Sequence, residues 1–243
     1  MSSAELAELL ARLPLWYFVF LFSVTLHEAA HAWVARLGGD DTAYVGGQVS
    51  LNPAPHIQRS PFGMVAIPIL TFFLQGGQWM IGWASAPYDP EWANRHPWRS
   101  VVMALAGPAS GWLLVFVSGI ALWIGLYFGF FSLTFGVSFV EDVISGTGPF
   151  TNAVGRLLML MFYLNLILGV FNLLPVPPLD GSEVWYLFVP SYAKRRELRA
   201  LAQQWWILGL LVAWRIFPKV FYWVANLALR FLVSAETLRD VPT

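Results

Sequence analysis

Three ionisable side chains, those of His27, Glu28 and His31, lie in the middle of the stretch SVTLHEAAHAWVARL, which otherwise resembles part of a membrane helix. On a helix, residues four apart project from the same face, so the imidazoles of His27 and His31 can both bind one metal ion. This H-E-x-x-H spacing is typical of sites in which two histidines bind zinc and the glutamate is a general base. The alternative is a pair of helix-packing histidines, but ionisable groups inside a membrane are costly and usually functional.

A catalytic zinc ion usually has three protein ligands and one open position, so a third ligand is needed. The chain has no cysteine, which leaves histidine and carboxylate as the available ligands. The candidates are His56, His96, Asp180 and Glu183. Asp180 follows an apolar segment that ends NLLPVPPLDG, where the prolines stop a helix and the glycine permits a tight turn. This context favours Asp180 as the third ligand over the alternative of an ordinary turn-forming Asp-Gly.

The composition predicts a membrane protein, because 58% of the residues are hydrophobic and only 12% are charged. Apolar runs close to the roughly 20 residues of a spanning helix cover residues 13–34, 101–127, 157–174 and 205–233. Residues 62–82 contain Pro68 and the sequence QGGQ, which favours a re-entrant segment over a full crossing. The sequence AYVGGQVSL, around Gly46 and Gly47, predicts a small β-hairpin.

The expected fold is therefore an all-α polytopic membrane protein with about four to six transmembrane helices, a re-entrant segment and a small hairpin. We expect one domain over residues 1–243, with a core at about 13–190 and a less distinctive C-terminal helical segment at 203–233. The formal net charge is zero, which argues against nucleic acid as a partner. The lipid bilayer is the expected surroundings, and the sequence does not specify an oligomeric state.

The predicted site also restricts the membrane topology. His27 and His31 lie near the end of the first span, and Asp180 lies just beyond the end of the third. Both spans must then run in the same direction, with an odd number of crossings between them. This places on one side the basic residues Arg36, Arg59, Arg95, Arg99, Lys194, Arg195, Arg196 and Arg199. The positive-inside rule then predicts a multi-pass protein of the cell (inner) membrane with its site near the cytoplasm.

HEAAH early in the chain and FNLLPVPPLDG late in it resemble the two motifs of the site-2 protease family of intramembrane zinc metalloproteases. The segments LGGDDTAYVGGQVSLNPAPHI, GWASAPYDP and ALAGPAS are similar to those of compact bacterial-type members. The resemblance implies one Zn²⁺ per chain, bound by His27, His31 and Asp180. It also implies that Glu28 is the catalytic base and acid and that Asn172 lies near the substrate carbonyl.

A site-2 protease cleaves peptide bonds in or near the transmembrane segments of membrane-anchored proteins, so the resemblance implies membrane-spanning protein substrates. Two alternatives stay open at this point. A metal-ion transporter usually has polar groups along a path through several spans, whereas here they are concentrated at one depth. A catalytically silent membrane scaffold would be free to lose Glu28 or a metal ligand, and this chain retains them all.

Overall fold

The computed structural model describes residues 2–137 and 139–239, which are mostly helical. The elements in chain order are α1 (Ser3–Leu37), α2 (Thr42–Val45), α3 (Pro53–Arg59), a π-helical turn (Phe62–Ala66), α4 (Ile67–Leu74), α5 (Pro90–Arg95), α6 (Pro97–Tyr127), β1 (Phe131–Leu133), a 3₁₀ turn (Val140–Val143), β2 (Ile144–Gly146), α7 (Pro149–Asn172), a 3₁₀ helix (Asp180–Phe188), α8 (Tyr192–Gln204) and α9 (Trp206–Arg239).

Four helices of the described chain, α1, α6, α7 and α9, are long and apolar enough to cross a membrane. They correspond to the predicted spans, so the expectation of an all-α polytopic membrane protein is confirmed. Among these four helices, α6 and α7 have the most extensive contact with each other. Their facing sides form a core around Leu122, Phe162 and Leu166. Helix α9 packs on the outside of this pair and presents most of its apolar surface outward, as a lipid-facing helix does.

Helices α1 and α7 run in the same direction. Near the start of α1, Arg12 forms an ion pair of 2.7 Å with Glu141, which lies just before α7. Further along both helices, the Asn165 amide donates a buried hydrogen bond of 2.8 Å to the Ser23 hydroxyl. One spanning helix, α6, lies between them in the sequence, as the parity argument requires. The carboxyl ends of α1 and α7 therefore meet at the same end of the bundle.

Residues 62–82 fold back on themselves beside α1. The π-helical turn and α4 form one arm, which is bent by 112° relative to α3. The chain then turns and returns in an extended conformation, so that the Trp83 amide donates to the Gly63 carbonyl at 3.0 Å. The segment starts and finishes at the same end of the bundle, which is the geometry of the predicted re-entrant segment.

The small hairpin exists, but its predicted position was wrong. Residues 42–45 form the helical turn α2, because the Asp40 carboxylate accepts hydrogen bonds from the Thr42 amide and hydroxyl. The Gln48 backbone amide then donates to the Ala43 carbonyl at the end of this turn. In the predicted hairpin, these groups would instead form the hydrogen bonds between two paired strands. The two-stranded antiparallel sheet instead joins β1 to β2 at the other end of the bundle, with Phe131 opposite Gly146.

The topology predicts where an aqueous thiol reagent can reach. In this naturally cysteine-free chain, single cysteines at Arg59, Arg95 and Lys194 should be labelled from one side of the membrane. A cysteine at Ser132, in the exposed hairpin, should be labelled from the other side. Labelling of the Arg59 and Arg95 positions from opposite sides would mean that residues 62–82 cross the membrane completely, and the re-entrant interpretation would be abandoned.

Candidate metal centre

Helix α1 holds His27, Glu28 and His31 in the interior of the protein, close to its carboxyl end. All three side chains are buried, and one potential ligand atom of each lies within 4.8 Å of the others. The two imidazole rings meet edge to face, with their centroids 4.7 Å apart. The four-residue spacing thus does what the sequence predicts, because it directs both rings from one helix face to the same point.

The structure brings Asp180 to these histidines from the segment that follows α7. Its carboxylate Oδ2 lies 3.1 Å from His27 Nε2 and 3.4 Å from His31 Nε2. Helix α7 ends at Asn172, and the following turns lead to Asp180 as the first residue of the 3₁₀ helix. Gly181 permits this path, because a methyl group there would overlap with the backbone of the Leu173–Leu174 turn.

The hydrogen bonding of His31 fits a proton or a metal ion between His31 and Asp180. Its Nδ1 lies 2.8 Å from the Met103 carbonyl oxygen, which can only accept, so Nδ1 carries the proton. In a neutral imidazole, Nε2 then presents a lone pair towards the Asp180 carboxylate. Two such acceptors repel each other unless a proton or a metal ion lies between them.

The spacing of the donors also fits zinc. Metal–ligand distances of about 2.0–2.1 Å in a tetrahedral site place the ligand atoms about 3.3 Å apart, and the contacts of Asp180 Oδ2 with the histidine nitrogens are 3.1 and 3.4 Å. Two imidazoles and a carboxylate are also a ligand set that zinc accepts while keeping a fourth position open. The bond from His31 to Met103 is the kind of outer-shell contact that fixes the orientation of a metal-binding imidazole.

Gly107 of α6 provides the space that the imidazoles occupy. A methyl group at this position would overlap with the ring of His31 and with Nε2 of His27. This glycine lies in the segment ALAGPAS, and the side chains that pack against it are the two imidazoles. The signal that Gly107 faces the site is absent from the sequence, because it depends on how α6 is rotated relative to α1.

The other candidate residues have different surroundings. Glu28 lies beside the imidazoles, whereas Asn172, at the end of α7, donates its amide proton to the Leu168 carbonyl of its own helix. No hydrogen bond within the described residues links Asn172 to the histidines. His56 bonds through Nε2 to the Ser50 carbonyl, and His96 lies at the start of α6. Neither His56 nor His96 joins the cluster.

Glu183, one turn beyond Asp180, lies in a network that sequence analysis did not anticipate. Its carboxylate accepts hydrogen bonds from the Ser100 hydroxyl at 2.6 Å and from both terminal nitrogens of Arg199. Burial lowers the pKa of Arg199, but its bonds to Glu183 outweigh this effect and raise the pKa above its usual value. For the nearby Asp180 carboxyl, burial acts to raise the pKa. The two histidines have the larger, opposite effect and lower the pKa of Asp180 well below its usual range.

Residues 16–214 match the family model of Peptidase family M50. Over 192 residues the chain is 31% identical to YwhC of Bacillus subtilis, a candidate zinc metalloprotease by its name. These residues are 79% of this chain and 76% of YwhC. The chain is also 28% identical over 219 residues to Rip2 of Mycolicibacterium smegmatis, which is likewise named a candidate zinc metalloprotease. The matched region is 87% of this chain and 70% of Rip2.

Rip1 of Mycolicibacterium smegmatis, named a zinc metalloprotease, is 33% identical over 121 residues, which are 46% of this chain and 30% of Rip1. No solved structure matches the chain. The chain belongs to Peptidase family M50, the site-2 protease family of membrane zinc metalloproteases. The resemblance drawn from HEAAH and PVPPLDG is thereby confirmed.

The position of Gly107 predicts a steric effect on zinc binding. Gly107→Ala should weaken zinc binding by about tenfold or more, as other changes in the outer shell of a metal site do, because the methyl group displaces both imidazoles. The measurement is zinc affinity of the purified protein by competition with a chelator.

Gly111→Ala is the matched control for this substitution, one turn further along the same helix. A methyl group at Gly111 meets the Asn165 side-chain oxygen at 3.7 Å, which is an ordinary contact. This variant should bind zinc like the wild type. Equal zinc affinities for the Gly107 and Gly111 variants would contradict the close approach of the imidazoles to α6.

Zinc content distinguishes Asp180 from His56 as the third ligand. The wild-type protein should carry about one zinc ion per chain, held by three protein ligands. Asp180→Ala should lower the occupancy, measured by elemental analysis after gel filtration, whereas His56→Ala should leave it unchanged. An empty site in the His56 variant together with a full site in the Asp180 variant would show that the assignment of Asp180 as the third ligand is wrong.

Proposed function

We propose that this metalloprotease is an intramembrane endopeptidase that hydrolyses peptide bonds in or near the transmembrane segments of membrane-anchored proteins. The observation that supports the proposal is the convergence of His27, His31 and Asp180 inside a bundle of membrane-spanning helices. A metal ion held at this location would lie among helices that are able to cross the bilayer, where transmembrane substrates are found.

In this proposal His27, His31 and Asp180 would hold one zinc ion, a ligand set that leaves room for a fourth ligand. The bound ion would supply Lewis acidity, which polarises a peptide carbonyl and lowers the pKa of water to about 7. The protein contributes the orientation of the ligands. Met103 fixes the tautomer of His31, and the absence of a side chain at Gly107 lets both imidazoles approach α6.

Glu28 is the proposed general base and general acid. Its carboxylate is adjacent to the histidine nitrogens yet lies outside the set of three proposed ligands, so it is free to exchange a proton. It accepts a proton from the attacking water and later returns it to the leaving amine. Asn172 is proposed to donate a hydrogen bond to the substrate carbonyl, for which its amide would have to release the Leu168 carbonyl.

The proposed orientation places the site near the cytoplasmic side of the cell (inner) membrane. The ends of α1 and α7 that meet at the site are flanked by Arg36, which follows the histidines on α1, and by the basic helix α8. At the other end, Glu141 and Asp142 precede α7. Basic residues predominate in cytoplasmic loops, so this asymmetry supports a cytoplasmic location of the site.

Glu28→Gln tests the proposed reaction. The variant should keep zinc and fold but lack the proton acceptor, so cleavage of a membrane substrate in proteoliposomes should fall by about 100- to 10,000-fold. Glu8→Gln makes the same chemical change at an exposed position of the same helix and should cleave normally.

The assay also separates the protease from a metal-ion transporter. Zinc flux into the same vesicles should be absent in the wild type and in both variants. Near-wild-type proteolysis by the Glu28 variant would overturn the assignment of the base. Zinc flux that depends on His27 and His31, without cleavage of any substrate, would favour a transport site instead.

A further inference from the structure

We propose that Glu183 and Arg199 are positioning residues, which hold Asp180 in register with His27 and His31 for zinc binding. This inference rests on the proposed function, because it assigns Asp180 as a zinc ligand. Neither Glu183 nor Arg199 touches the histidines. Their effect is transmitted through the backbone that carries Asp180.

The geometry of the 3₁₀ helix provides the first step. In such a helix, side chains three residues apart lie on the same side. Asp180 is its first residue, and Glu183 follows three positions later. Asp180 contacts the histidines at 3.1 and 3.4 Å, and Glu183 is buried against α6 and α8. The two carboxylates therefore attach the same short helix to its surroundings at two successive turns.

The contact of Glu183 with α6 lies within one turn of the α6 residue that orients His31. Ser100 donates its hydroxyl proton to Glu183 at 2.6 Å. Three residues later, the Met103 carbonyl accepts the Nδ1 proton of His31 at 2.8 Å. The first turns of α6 thus set the position of one proposed ligand directly and that of another through Glu183.

Arg199 holds the opposite side of Glu183 and connects it to α5 and to Tyr186 of the same 3₁₀ helix. Its guanidinium binds both oxygens of Glu183, with a distance of 2.8 Å from Nη1 to Oε2. Its Nε donates to the Asn94 side-chain oxygen at 3.0 Å, and its guanidinium carbon lies 4.1 Å from the centre of the Tyr186 ring. This bidentate geometry restricts Glu183 in both distance and direction, which a single charge on lysine would not do.

The test compares two buried glutamates, each of which binds an arginine. Glu183 is 8% exposed and lies next to the site, whereas Glu141 is 2% exposed and binds Arg12 at the opposite end of the bundle. Glu183→Gln leaves Arg199 without its ionic partner, and Glu141→Gln removes one of three carboxylates that bind Arg12, which keeps Asp142 and Glu8. Both substitutions break a buried ion pair, so both should lower the unfolding temperature in detergent. Only Glu183→Gln should weaken zinc binding, by about 10- to 100-fold, as loss of an outer-shell partner does.

Two further variants keep the test decisive if Glu183→Gln does not fold. Ser100→Ala removes one neutral hydrogen bond, and the double variant Glu183→Gln with Arg199→Met leaves no unpaired charge. The double variant should recover thermal stability, because neither partner remains as an isolated buried charge. Its zinc dissociation constant should stay raised by about 10-fold or more, and that of Ser100→Ala should rise by a smaller factor.

The outcomes separate this inference from the proposed function. If the wild type binds no zinc, the metal site itself is wrong. If the wild type binds zinc and Asp180→Ala loses it, while Glu183→Gln, Ser100→Ala and the double variant all bind zinc as the wild type does, the metal site stands and the positioning role is overturned. Equal loss of zinc affinity in the Glu141 and Glu183 variants would also overturn it, because a general loss of stability would then explain both.

Discussion

The carboxylate of Asp180, in the segment that follows α7, meets two imidazoles of α1, and much of the fold follows from this contact. The histidines lie near the carboxyl end of α1, and Asp180 follows the carboxyl end of α7, so α1 and α7 must be parallel. A single crossing by α6 satisfies that requirement, provided that residues 62–82 return to the side from which they start. The direction of each spanning helix is thus tied to the chemistry at one end of the bundle.

Polar contacts at several depths maintain this parallel arrangement. Arg12 binds Glu141 at the end remote from the site, and Asn165 binds Ser23 between the two ends. Charged groups within a membrane bundle are costly unless they are paired, and these residues have partners on other elements. Near the site, the 3₁₀ helix is held through Glu183 to α6 and α8. The polar residues that reach the interior therefore also determine which elements can lie next to each other.

Much of the fold and of the candidate site could be predicted because the relevant signals are local. Helical periodicity is enough to place His27 and His31 on one face, and the prolines before Asp180 show that α7 has to end. The hairpin at Gly46 and Gly47 was misplaced because the Asp40 carboxylate, bonded to Thr42, favours a helical turn there. The roles of Gly107 and Glu183 were not predictable, because they depend on the rotation and depth of α6 relative to α1 and to the 3₁₀ helix. Asn172 stays a prediction, since its amide bonds to its own helix.

The central claim is that two imidazoles of α1 and the carboxylate of Asp180, which follows α7, form a single zinc site. X-ray absorption at the zinc edge of the purified protein tests it most directly, because multiple scattering from imidazole rings reveals how many histidines bind the metal. The account predicts nitrogen and oxygen ligands at about 2.0–2.1 Å, with two imidazoles, and the same two imidazoles in Asp180→Ala protein reloaded with zinc. Three imidazoles in the wild type would contradict it, because His56 or His96 would then replace Asp180 as a ligand.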